Sequence, residues 1–311
     1  MTRVAAVDCG TNTIKLLVAD IDRDAGTQHD LVRELRIVRL GQGVDRTGRL
    51  ADEALSRVFA AVDEYAAVIA AHDVRALRFM ATSASRDASN ADVFAEGVGS
   101  RLGVRLEVVT GDEEAQLAYD GATRSLSAIG RDVPFPVAVL DIGGGSTELI
   151  VGTAPGRVAA ARSLDIGSVR LTERLMPSDP PTRAEVQAAT RAVDDALDTL
   201  PGYGVHVGDA PTLVGVAGTV TTLAMLLTGL DTWDRDRVHH ASFPLADVHD
   251  LADRLLSMTA AERERLGVPA GRSDVIGAGA VILDRVLHRS AAERLTVSDS
   301  DILDGIAWSI A

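Results

Sequence analysis

The stretch Val137-Ala138-Val139-Leu140-Asp141-Ile142-Gly143-Gly144-Gly145-Ser146-Thr147-Glu148-Leu149-Ile150-Val151 decides how the rest of the chain is read. An apolar run ends on an acidic residue, small residues turn the chain, and a second apolar run returns. That order describes a β-hairpin whose tip carries carboxylate, glycine and hydroxyl groups. A related copy lies 141 − 8 = 133 residues earlier, where Asp8-Cys9-Gly10-Thr11-Asn12-Thr13 stands between Val4–Val7 and the mostly apolar Ile14–Ala19. Two such hairpins, about half a chain apart, predict a duplicated two-lobed architecture with a cleft between the lobes.

The segments between the hairpins alternate in period. Asp52 to His72 has apolar residues at helical spacing, with Leu55, Val58, Phe59, Val62, Val68 and Ile69 on one face. A strand is predicted over Leu77–Ala81, a helix from Ser89 to Leu102 capped by Ser89 or Asn90, and a strand over Val104–Val109. Thr110-Gly111-Asp112-Glu113-Glu114 then opens another helix. In the second half, a helix is predicted from Ser178-Asp179-Pro180-Pro181 to about Leu200, and a strand over Leu213–Ala217. Helices follow near 244–257, 259–266 and 274–289, the last capped by Ser273 or Asp274, and a terminal helix covers Asp299 to Ile310. Strands alternating with helices predict an α/β fold with crossover connections.

Composition sets the limits. The 311 residues suggest two domains, and 46% apolar with 24% charged residues is ordinary for a folded chain. Cys9 is the only cysteine, so no intramolecular disulfide can form and a zinc–thiolate cluster is excluded. The apolar run at the N-terminus is too short for a signal peptide, and the longest apolar stretch, Leu213 to Leu227, is interrupted by Gly and Thr. These features predict a cytoplasmic protein with no membrane partner. The formal net charge of −14 argues against nucleic acid.

The Asp141–Glu148 loop carries the clearest chemistry. The glycines Gly143, Gly144 and Gly145 let backbone N–H groups converge on a ligand, and Ser146 and Thr147 add hydroxyls. Asp141 can hold a hard cation, with Glu148 sharing the ion or its water. Asp8, Gly10, Thr11, Asn12 and Thr13 form the matching loop. Lys15, the only lysine in the chain, occupies the position of Glu148, since 148 − 15 = 133. It reads equally as a phosphate or carboxylate partner and as a surface strand residue. Gly218 and Thr219 follow a strand and either point a helix N-terminus at an anion or pack closely through small side chains. Asp112, Glu113 and Glu114 suit a helix first turn through the dipole alone. Arg86 and Arg272 read as phosphate clamps or as ordinary salt-bridge partners. The histidines show no metal-ligand spacing. His239-His240 has no third ligand nearby, and His249-Asp250 reads as part of a solvated helix face. No Gly-x-x-x-x-Gly-Lys-Ser/Thr is present, which excludes a P-loop enzyme by motif.

Taken in order, these pieces resemble one family. Val7–Thr13, Ala81–Asn90, Thr110–Ala115, Asp141–Glu148, Gly167–Glu173, Gly218–Ala224 and Arg272–Ile276 together resemble the exopolyphosphatase / guanosine pentaphosphate phosphohydrolase (Ppx/GppA) family over essentially the whole chain. The resemblance implies two duplicated actin-like (ribonuclease H-like) domains. The first would span 1–118, with the helix at 299–311 packing back on it, and the second 119–298. It implies Glu114 as catalytic base, Asp141 and Glu148 on Mg²⁺ or Mn²⁺, and Arg86 on the phosphate chain. Asn12, Thr13, Gly144, Gly145 and Ser146 would line the phosphate site. Asp8, Gly10, Thr11, Lys15, Glu113, Gly143, Gly218, Thr219 and Arg272 are further candidates. The implied substrate is inorganic polyphosphate or guanosine pentaphosphate, and the implied assembly a homodimer. Longer members carry C-terminal helical domains that this chain lacks after Ile302–Ile306, which implies short polyphosphate chains. The motifs leave two rival readings. One is an ATP-using kinase or ATPase of the same superfamily, and the other a catalytically silent binder of guanosine tetra- or pentaphosphate.

Overall fold

A computed structural model describes residues 1–126 and 133–311. The chain forms two compact units, Met1–Gly121 with Ile302–Ala311 and Ala122–Asp301. Among the described residues no helix is long and apolar enough to cross a membrane.

The first unit runs β1 (Thr2–Cys9), β2 (Thr13–Asp22), β3 (Thr27–Ile37), α1 (Val44–Thr47), α2 (Asp52–Ala70), β4 (Ala76–Ala81), α3 (Ser83–Arg86), α4 (Ala91–Leu102), β5 (Leu106–Val108) and α5 (Gly111–Arg124). Its sheet has the order β3-β2-β1-β4-β5. The β1–β2 and β2–β3 pairs are antiparallel, while β1–β4 and β4–β5 are parallel. Side chains of β1 alternate between two cores, as a strand's period of two requires. Ala5, Val7 and Cys9 pack in one core with Val58, Val62 and Phe94 of α2 and α4. Val4 and Ala6 pack in the other with Ala118 of α5 and with Ile302, Ile306 and Ala307. β1 is therefore covered on both faces and contains few polar residues.

The residues 302–307 belong to the terminal helix α13 (Ile302–Ile310). Polar contacts reinforce its docking on the first unit. Trp308 Nε1 donates to Gln28 Oε1 at 2.7 Å, and the buried Asp304 accepts from Gln28 and Arg33. A Cβ at Gly305 would collide with the Leu117 carbonyl of α5, so glycine there permits close helix approach.

The second unit contains β6 (Val137–Ile142), β7 (Thr147–Ala154), β8 (Arg157–Leu164), α6 (Ser168–Leu175), α7 (Arg183–Leu197), β9 (Thr212–Val216), α8 (Ala217–Leu227), α9 (Arg235–Val238), β10 (Ser242–Pro244), α10 (Leu245–Leu256), α11 (Ala260–Leu266), α12 (Ile276–Leu287) and β11 (Arg294–Val297). Its strand order is β10-β11-β9-β6-β7-β8. Apart from the added β10, this repeats the order and the directions of the first sheet. The α/β expectation and the duplication both hold, and β6–β7 is the counterpart of β1–β2.

Several local expectations change. β3 and β8 are absent from the sequence reading: β3 is largely polar and half-exposed, as an edge strand allows, and β8 carries a run of alanines between Arg157 and Arg162 in place of an apolar–polar alternation. α7 begins at Arg183, not at Ser178. Thr182 caps it in a reciprocal box with Glu185, a stronger start than the Pro-rich segment before it. Asn90 precedes α4 but does not cap it, because its side chain binds the Leu50 N–H and carbonyl instead. Ser273 binds Glu264 and the Ala270 carbonyl, and α12 starts after Val275 with no side-chain cap.

Candidate active site

The two hairpin turns are built alike. Gly10 N–H donates to the Thr13 carbonyl at 2.9 Å, and Gly143 N–H donates to the Ser146 carbonyl at 3.0 Å. The offsets, 143 − 10 and 146 − 13, are both 133. The residues beside the turns differ in charge. Asp8 pairs across the ladder with Lys15, whose Nζ lies 3.6 Å from Asp8 Oδ2. Asp141 pairs across its ladder with Glu148. Directly opposed residues of antiparallel strands project to one face, so the first unit places an ammonium beside its carboxylate while the second places a second carboxylate. Glu148 is only 1% exposed and accepts from Ser163 Oγ at 2.7 Å. Two buried carboxylates at one ladder position form an all-oxygen donor set. That set suits a hard divalent ion such as Mg²⁺ or Mn²⁺.

The second turn is held through its carbonyls. The Gly143 carbonyl accepts from Ser168 N–H, and the Gly144 carbonyl from Val169 and Arg170 N–H. Arg170 Nε donates to the Gly145 carbonyl at 2.7 Å. The start of α6 therefore engages three successive carbonyls, leaving amide groups and the Ser146 hydroxyl as what the turn can offer an anion. A Cβ at Gly167 would overlap the Gly144 backbone, which explains glycine at that crossing.

In the first unit the turn is anchored from the exit of β3. Val38 and Arg39 N–H donate to the Asn12 carbonyl, and Gly41 N–H to the Thr11 carbonyl. The Thr11 and Ser83 hydroxyls are 3.0 Å apart. This positions Asn12 and Thr13, both half-buried, at the carboxyl ends of the parallel strands β1 and β4. Ligands of open α/β sheets gather at that end.

Glu114 occupies the same end of the first unit. It lies in the first turn of α5, is 7% exposed, and receives Arg86 Nη1 at 2.7 Å. Arg86 is fixed in turn by the Val109 carbonyl at 2.9 Å. Burial pushes the Glu114 carboxyl up to about 7; Arg86 and the Thr82 hydroxyl pull it down, and the Asp8 charge pushes it up. A carboxylate near 7 is matched to accepting a proton at neutral pH.

The remaining candidates separate clearly. Glu113, one residue away, pairs with Arg78 at 2.7 Å in a network that also includes Glu107, and is not gathered with Glu114. Arg272 and Gly218, read separately from the sequence, meet in the second unit. Arg272 Nη1 contacts Thr222 Oγ1 at 3.2 Å, and a Cβ at Gly218 would strike its guanidinium. Thr219 is buried against Gly279 of α12. Close packing through small residues thus accounts for this segment. Sequence reading quoted the stretches that hold Thr82 and Arg170 without giving either a role, and it missed Ser163. Ser163 could have been found by extending the β7 register into β8, where it pairs with Glu148.

The profile of the Ppx/GppA phosphatase family matches residues 17–311. Exopolyphosphatase 2 of Mycobacterium tuberculosis is 45% identical, covering 100% of this chain and 99% of its own length. A crystal structure of an exopolyphosphatase-like protein is 44% identical with a TM-score of 0.93, covering 99% of this chain and 97% of that one. The guanosine-5'-triphosphate,3'-diphosphate pyrophosphatase of Vibrio campbellii is 29% identical over 98% of this chain and 59% of its own length.

Proposed function

The chain belongs to the Ppx/GppA phosphatase family, and on that premise we propose that it is an exopolyphosphatase releasing the terminal phosphate of inorganic polyphosphate. The observation that carries the proposal is Glu114, a buried carboxylate poised near 7 and oriented by Arg86. Glu114 takes the proton of the attacking water, and Arg86 keeps its Oε2 in one orientation while presenting positive charge to the phosphate chain. The amides of Gly144 and Gly145 and the Ser146 hydroxyl donate to phosphate oxygens, as do Asn12 and Thr13, while the Gly10 and Gly143 N–H groups close their own turns. Asp141 and Glu148 are the residues that would hold Mg²⁺ or Mn²⁺, which supplies charge neutralisation to the polyphosphate oxygens when bound. A cytoplasmic location and a homodimer belong to the same proposal.

Guanosine pentaphosphate is the second reading, favoured by the likeness to the Vibrio campbellii relative. It ends in the same phosphoanhydride and would use the same groups. The deciding experiment compares phosphate release from short polyphosphate, long polyphosphate, guanosine pentaphosphate and ATP with Mg²⁺ present. Release fastest from polyphosphate, short or long, supports the proposal. Release confined to guanosine pentaphosphate makes that the substrate. ADP formation without polyphosphate cleavage, or binding of guanosine nucleotides with no release from any substrate, overturns it.

A further inference from the structure

Folding assembles a histidine cluster that sequence spacing conceals. His249 lies on α10, and Asp284 lies in the last turn of α12. His288 follows Asp284 by one helical turn and caps α12. Their sequence separation, 284 − 249 = 35, hides the group, and the reading of His249 as part of a solvated helix face is corrected here. His249 Nδ1 is 2.6 Å from Asp284 Oδ1, and His288 Nδ1 is 3.4 Å from Asp284 Oδ2. The two imidazole rings meet edge to face with centroids 4.5 Å apart. Among the described residues, this group of His, Cys, Asp and Glu side chains brings one ligand atom from each of three residues within 4.8 Å of the others.

We propose that His249, Asp284 and His288 bind one divalent transition-metal ion of the zinc class, tying α10 to α12. Two imidazoles with one carboxylate make a borderline donor set that favours Zn²⁺, Ni²⁺ or Co²⁺ over Mg²⁺. The surrounding charges leave Asp284 available to an ion. Arg285 and Arg289 are drawn toward Asp194, at 2.8 Å each, and Arg289 also reaches Asp198 at 2.7 Å. The Arg285 contact with Asp284 is long, at 3.8 Å. His288 Nδ1 also lies 2.8 Å from the Asp284 carbonyl. Backbone contacts of this kind fix the orientation of a ligating ring. Binding would exchange the His249–Asp284 hydrogen bond for two bonds to the ion, with the His249 ring proton moving to Nε2. The site is also displaced from the carboxyl end of β9, where α8 begins. Gly279 packs on Thr219 there, and 288 − 279 = 9 residues of helix carry His288 about 13 Å further along.

The test uses tag-free, metal-stripped protein titrated calorimetrically with Zn²⁺ in excess Mg²⁺, which saturates all-oxygen sites. One Zn²⁺ should bind per chain and raise Tm. His249→Gln and His288→Gln should each weaken it at least about tenfold, since even changes to groups behind a ligand cost about 10–100-fold. Co²⁺ in place of Zn²⁺ should give a visible d–d band that both variants lose. Both variants should keep their Mg²⁺-dependent phosphate release, so this result is separate from the test of the phosphatase reading. A Zn²⁺ isotherm unchanged in both variants, or no Zn²⁺ binding by the unsubstituted chain, overturns the proposal.

Discussion

Replacing Arg86 with Met should move the acidic limb of the pH–rate profile to higher pH. Arg86 donates to Glu114 at 2.7 Å and, with the Thr82 hydroxyl, opposes the effect of burial. The result of that opposition is a carboxyl at about 7. A hydrogen bond to a charged group contributes about 1.5–3 kcal/mol, and each pH unit corresponds to about 1.36 kcal/mol. Loss of Arg86 should therefore raise the Glu114 value by about 1–2 units, toward about 8–9. A base must be ionised to act, so activity should fall below that higher value rather than below about 7. The assay is kcat/KM for phosphate release from polyphosphate across pH 5.5 to 10 (a range of about that width). The substrate's own titration is common to both enzymes, so the difference between the two profiles reports Glu114. An acidic limb that stays in place, or moves to lower pH, would refute this assignment of the base and its partner.

Other expectations follow from the same contacts. The Glu114 carboxyl rises from 4.5 to about 7 on folding, so the native state holds its proton more tightly than the unfolded chain and stability falls as pH rises through that window. The cost is on the order of 3 kcal/mol, and Glu114→Gln should raise Tm relative to the natural chain at pH 8 but scarcely at pH 5, measured by calorimetry. Asp141→Asn should require a higher Mg²⁺ concentration for half-maximal phosphate release, and chelation should abolish activity in the natural chain. Unchanged Mg²⁺ dependence would remove Asp141 from the metal site. Gly167→Ala should cost about 1–3 kcal/mol of stability through overlap with the Gly144 backbone, and should lower turnover by shifting the phosphate turn. Urea denaturation and initial rates check both effects.

The sequence was most legible where backbone chemistry and burial agree. The Asp–small–hydroxyl turns between apolar runs revealed both hairpins, and their 133-residue offset revealed the duplication, because β1 and β6 are central strands with few polar residues. β3 was hidden because a half-exposed edge strand tolerates Arg, Glu and His without regular alternation, and β8 because its alanines between Arg157 and Arg162 carry no period of two. Glu114 was visible as one of three acidic residues in a helix first turn, where the dipole alone explains them. Only full burial separates it from Glu113, which the half-buried Arg78–Glu107 network takes up. The difference between Lys15 and Glu148 was visible as a substitution at one repeat position. Its consequence, an ion pair in one hairpin and a dicarboxylate in the other, required the register. His249, Asp284 and His288 lay beyond sequence reading because two helices bring them together.

Glu114 as the base of a phosphoanhydride hydrolase is the assignment on which the proposed function rests. Its most direct test is turnover of short-chain polyphosphate by Glu114→Gln with saturating Mg²⁺, alongside direct measurement of substrate binding. If Glu114 is the base, kcat falls by at least about 100-fold, the lower end of what a positioned base contributes, with binding of polyphosphate retained. Wild-type turnover in Glu114→Gln would contradict it.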